Sequence, residues 1–221
     1  MGFYIPTKGP ACWRGLLADP NKQWKTGYSA KALANCWESA AGVPRELQAL
    51  FEVPPLLLIG IPEHKVDLPG GKRPSQSDLF AILRVGDKTI ACTIEGKVDE
   101  TFGPTIGEWL RDDSEGKVER LSFLCKELGL RQPLPQELRY QLLHRAVSAV
   151  VESDRFKTDE AAMIVHSFSQ KSAWFEDFAA FCRLFDAVAK RDGLVAVRLP
   201  GGKTLKLGWA SGDQKFLSDT V

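Results

Sequence analysis

Residues 76–97 constrain the fold more than any other stretch of the chain. Two runs rich in β-branched and apolar residues, 79–85 and 88–94, flank Gly86-Asp87. That dipeptide suits a two-residue hairpin turn of type II′, with glycine first. A turn that tight sets Val85 opposite Lys88, Leu83 opposite Ile90 and Ala81 opposite Cys92. Continued outward, the same register sets Asp78 opposite Glu95 and Gln76 opposite Lys97. Opposed residues share a face of the sheet, with Cβ atoms about 4.5–5.5 Å apart.

The two faces of this hairpin differ in kind. Leu79, Ala81, Leu83, Ile90, Cys92 and Ile94 make an apolar face. Asp78, Phe80, Ile82, Thr89, Ala91, Thr93, Glu95 and Lys97 make the other, which turns polar at the end far from the turn. Two carboxylates side by side repel unless something cationic sits between them. A divalent metal with oxygen ligands answers that need, and Lys97 points into the same place. The competing reading is an ordinary same-face ion pair, because strand period two brings Glu95 and Lys97 together in any case.

Composition excludes several classes. With 44% hydrophobic and 26% charged residues the chain reads as an ordinary globular protein. At 221 residues it fits a single domain, 1–221. No apolar run approaches the roughly 18 residues needed to span a membrane, and the first residues lack a signal-peptide layout. Cys12, Cys36, Cys92, Cys125 and Cys182 are scattered, with no Cys-x-x-Cys pair. That pattern predicts buried, reduced thiols in a cytoplasmic protein rather than disulfides or a zinc cluster. Net charge is only +1, yet residues 1–37 carry Lys8, Arg14, Lys22, Lys25 and Lys31 against Asp19 alone. Lys65, Lys72 and Arg73 precede the hairpin. Such basic stretches suit a phosphate backbone, or simply a solvated face.

Phe3, Tyr4, Trp13 and Trp24 read as aromatic anchors of an N-terminal segment of loop and short helix. Ser29 is placed to cap a helix from Ala30 to about Ala41, stopped by Gly42 and Pro44. Glu38 lies beside its apolar stripe, as a surface carboxylate or a partner for Lys31 or Arg45. A short helix spans 44–51. The run 56–61 reads as a strand covered on both faces. Residues 62–75 read as a loop, where His64 faces solvent or approaches a metal. Helical periodicity marks 105–112, 117–128 and a longer helix from Pro135 to Ser153. Gln141, Arg145, Ser148 and Glu152 form a polar line on that last helix. A short strand at 161–165 follows through a crossover. A helix from Ser172 to Arg191 and a hairpin, 194–199 with 203–209, close the chain.

The order helix, strand, hairpin, helix, strand, with Asp78 and Glu95-x-Lys97 on the hairpin, resembles the PD-(D/E)xK nuclease superfamily. The resemblance covers about residues 29–168, with Ser77 standing where the family name has proline. Pro74-Ser75-Gln76-Ser77-Asp78 and Tyr140-Gln141-Leu142-Leu143-His144-Arg145 look like strings from bacterial members. It implies an α/β fold with a mixed sheet: a restriction-endonuclease-like αβββαβ core plus a C-terminal helix and β-hairpin at 169–221. It implies that Asp78, Glu95 and the Gly96 carbonyl bind Mg²⁺ (or Mn²⁺), with Lys97 orienting the attacking water. Glu38 matches the first-helix carboxylate of some branches, and Gln141 the polar residue on the helix after the hairpin. The implied activity is a metal-dependent endonuclease whose partner is nucleic acid, expected to be DNA, with a homodimer possible and no membrane. An inactive nuclease-like binding module and a purely structural protein are the alternatives.

Overall fold

A computed structural model describes residues 7–112 and 114–218; the anchors expected at Phe3 and Tyr4 lie outside them. Its centre is the hairpin. Gly86 takes φ 60°, the left-handed value the first position of a II′ turn requires. The pairing runs from Val85↔Lys88 to Leu79↔Ile94 in the register read from sequence. Among the described residues a 3-10 helix (Pro10–Leu16) and three α-helices precede it: α1 (Pro20–Gln23), α2 (Ser29–Ala40) and α3 (Arg45–Gln48). The strands are β1 (Leu56–Val66), β2 (Ser75–Val85) and β3 (Lys88–Lys97). Then come α4 (Ile106–Trp109), α5 (Glu115–Leu128), α6 (Tyr140–Phe156), β4 (Glu160–Ser167), α7 (Phe175–Arg183), β5 (Gly193–Arg198) and β6 (Thr204–Ser211).

The six strands form one mixed sheet in the order β1-β2-β3-β4-β6-β5. β1, β2 and β3 are antiparallel, and β3, β4 and β6 run parallel. Because α6 connects β3 to β4, it returns the chain across the sheet. The apolar hairpin face meets Leu33 and Trp37 of α2 in one core. Each of Leu33, Leu79, Leu83 and Ile94, fully buried there, contributes about 1.5–3 kcal/mol. On the other face Leu142, Ala146, Ala149 and Val150 of α6 join Ala161, Met163 and Val165 of β4 in a second core.

Several expectations change, among them the cap: Ser29 is the first residue of α2, and Tyr28 takes the cap position. β1 is an edge strand with Leu56 54% exposed, not a strand covered on both faces. It also continues past Pro62 to Val66, because an edge position tolerates a missing N–H. The helix expected from Pro135 begins at Tyr140 instead. Residues before it serve α4, with Ile106 N–H donating to the Leu138 carbonyl and Gly107 N–H to that of Gln136. The last helix stops at Arg183, and Asp186 soon takes a left-handed φ of 54°. Four cysteines are buried as read, whereas Cys12 is exposed. Among the described residues no helix is long and apolar enough to cross a membrane.

Candidate active site

The hairpin ladder forks at its polar end. Past Leu79↔Ile94 no β2–β3 pair continues. β2 stays with β1 as far as Ser75↔Val66, and β3 stays with β4 as far as Lys97↔Ser167. The expected pairing of Gln76 with Lys97 is therefore replaced by a gap. Asp78 stands at the fork, and its Oδ2 accepts from the Gly96 N–H at 2.8 Å. The fork opens into a cleft of about 880 Å³ lined by Asp78, Glu95 and Lys97. Gln141 and Arg145 reach into it from α6, and Glu63 from β1.

Glu95 is the electrostatic hub. Its Oε1 accepts from Gln141 Nε2 at 2.5 Å and Lys97 Nζ at 3.0 Å. Its Oε2 accepts from Arg145 Nε at 2.6 Å. Burial alone would raise this carboxyl, but Arg145 and Lys97 outweigh it and hold Glu95 below the usual carboxylate range. Arg145 is itself fixed by Ser75 Oγ at 3.0 Å. Lys97 also lies 4.9 Å from the centre of the Phe102 ring. His144, beside Arg145, is held neutral by burial and by the neighbouring cations Arg145, Arg120 and Lys97.

The other two carboxyls behave oppositely. Burial, and then the charge of Glu95, push Asp78 up to about 7 despite Lys97 and Arg145. Burial and the Asp78 charge push Glu63 up to about 9, with Gln76 Nε2 donating to Glu63 Oε2 at 2.7 Å. Glu63 holds φ 53°, a left-handed backbone that costs a residue with a Cβ about 1–2 kcal/mol. Backbone of this kind clusters at functional sites. Three carboxylates against Lys97 and Arg145 leave one surplus negative charge when all are ionised.

Asp78, Glu95, Lys97 and Gln141 thus meet in one cleft, and the Gly96 backbone joins them through its N–H. Glu38 does not. The cleft meets α2 at its start, through Tyr28 and Ser29, while Glu38 sits more than two turns further on. There Glu38 Oε1 accepts from Trp13 Nε1 at 2.7 Å. His64 is also elsewhere, stacked on Phe80 and 3.2 Å from Glu152. Glu63 lies in the stretch 62–75 that the sequence marks only as a loop. Its only signal was the alternation of β1 carried through Pro62, which reads as a strand only once β1 is known to be an edge. The rim carries Lys72 and Arg73, both exposed, and the stacked rings of Trp109 and Tyr140, 3.9 Å apart.

A family model described as a domain of unknown function (DUF6946) matches residues 6–214. No curated protein and no solved structure matches the chain.

Proposed function

The chain belongs to the DUF6946 family, and for it we propose a metal-dependent nuclease of the PD-(D/E)xK type, acting on DNA. The observation that carries this reading is the forked ladder, which gathers Asp78, Glu95 and Lys97 in one cleft. The mixed sheet, with α2 on one face and the α6 crossover on the other, supports a restriction-endonuclease-like core.

Phosphodiester hydrolysis needs a nucleophile made from water and cancellation of charge on a non-bridging oxygen. A Mg²⁺ or Mn²⁺ ion held by Asp78, Glu95 and the Gly96 carbonyl would supply both. The chain's own groups set the stage for it. Arg145 and Gln141 fix the Glu95 carboxylate, and Arg145 with Lys97 keeps it ionised. Lys97 lies within reach of the same carboxylate and stabilises negative charge on the phosphoryl oxygens in the transition state. Lys72 and Arg73 meet the phosphate backbone at the rim, and Trp109 with Tyr140 offers a surface for an unpaired base.

One observation favours a second reading, a nuclease-like module that binds nucleic acid without cutting. Glu95 already accepts from three donors, two of them cationic, so a metal must compete for it. The test is incubation with supercoiled plasmid and with single-stranded DNA, in Mg²⁺, Mn²⁺ or chelator, beside Lys97→Ala and Asp78→Ala. Metal-dependent cutting by the wild type, lowered at least 100-fold in both variants, supports the enzyme. Binding without cutting supports the module, and neither activity ends both readings.

A further inference from the structure

The face of the sheet away from the cleft carries a second cluster, made by two consecutive helices and a strand far from them in sequence. Cys36 comes from α2, Glu46 from α3 and His166 from β4. Cys36 Sγ lies 3.3 Å from Glu46 Oε1, and His166 Nε2 lies 2.9 Å from that same oxygen. All three donor atoms fall within 4.8 Å of one another. Cys36 and His166 are buried, whereas the Glu46 side chain is 20% exposed and leaves a route from solvent.

The geometry points to a zinc site formed by Cys36, Glu46 and His166, with its fourth position open beside Glu46. The donor set is the first argument. Thiolate, imidazole and carboxylate together select a borderline-soft ion over magnesium. The thiolate and carboxylate charges cancel a divalent ion while the imidazole stays neutral. Bond lengths of about 2.0–2.3 Å place tetrahedral donors roughly 3.3–3.8 Å apart. The separations here approach that range, so small side-chain movements complete it.

The space around His166 also bears on the site. A Cβ on Gly212 would come within 3.0 Å of His166 Nε2 and 2.5 Å of Phe168 Cδ1. Gly212 has no left-handed φ, and its missing Cβ leaves room first for the Phe168 ring and then for the ligating nitrogen. The other ring nitrogen, His166 Nδ1, is buried without a hydrogen-bond partner.

This site is separate from the cleft. His166 pairs with Gly96 across the β3–β4 ladder, and its side chain shares the α2 face with Ala162 and Ile164. Glu95 and Lys97 point to the α6 face. Zinc there would tie α2 and α3 to β4, with water completing its open fourth position, independently of the proposed nuclease activity.

The test is metal stoichiometry and affinity of the full chain for Zn²⁺, by elemental analysis and competition with a chromogenic chelator. One tightly bound ion per chain is expected. Cys36→Ser and His166→Gln should each weaken binding at least 100-fold, while Cys12→Ser, at the exposed cysteine, leaves it unchanged. Because either core variant can misfold, Co²⁺ loading of the wild type provides a second readout. A thiolate-to-metal charge-transfer band and tetrahedral ligand-field bands support the site. Stoichiometry unchanged in both variants, or a Co²⁺ spectrum without a thiolate band, overturns it. So does a wild type that takes up no zinc, which would leave the triad a hydrogen-bonded strut.

Discussion

Asp78→Asn should make the protein more stable, and increasingly so as pH rises. The folded carboxyl titrates near 7 against an ordinary value of 3.8. Between about pH 4 and 7 the native state therefore holds more protons than the unfolded chain, and stability falls as pH rises across that window. At about 1.4 kcal/mol per pH unit, the interval bounds the cost of ionised Asp78 at ~4 kcal/mol. The side chain is only half-buried and shares its charge with Glu95 and Glu63, which trims the recoverable part. Asparagine also weakens the bond from Gly96 N–H by ~1 kcal/mol. A net gain of about 1–3 kcal/mol at pH 8 remains, raising Tm by about 2–10 °C for a chain of this size. Below pH 4 the two proteins should coincide. Thermal unfolding from pH 4 to 9, with and without Mn²⁺, measures this directly. Mn²⁺ should raise the wild-type Tm most at high pH and barely move the variant. An Asp78→Asn protein less stable than wild type at pH 8, or a difference independent of pH, would refute the claim that the cleft stores unfavourable charge.

Two substitutions away from the catalytic groups probe the frame. Gly70 has φ 71°, and a Cβ there would collide with the backbone of Gly116 and Arg120. Gly70→Ala should cost about 2–4 kcal/mol, read as a Tm drop of about 5–15 °C, and an unchanged Tm would show the 68–73 loop free of α5. Glu38→Gln should leave any metal-dependent cutting within twofold of wild type while lowering stability by ~1 kcal/mol, through the weakened Trp13 bond. Loss of cutting without loss of stability would return Glu38 to the site.

The parts of the fold legible in the sequence were those set by local chemistry. Gly86 fixes the turn, and period two then fixes which face Leu79, Leu83 and Ile94 bury. The polar line on α6 was legible for the same reason, and Gln141 and Arg145 meet Glu95 along it. What could not be read depends on competition between distant elements. The fork exists because β1 holds β2 while β4 holds β3, and no local pattern states that balance. Glu63 stayed hidden because Pro62 masks an edge strand as a loop. Glu38 shares a helix with the cleft's wall, but its position along α2 hands it to Trp13. Pro135 suits a helix start, yet the Leu138 and Gln136 carbonyls are taken by α4, so the helix begins later.

The arrangement around Glu95 has a consequence for synthesis on the ribosome. The hairpin with all its acidic groups and Lys97 is made before α6, which brings Arg145 and Gln141. A nascent chain ending ahead of Tyr140 has the acids but lacks their guanidinium brace and the helix that covers them. Any chemistry that needs Glu95 held by Arg145 is thereby withheld until α6 has emerged, a delay written into the order of the segments themselves.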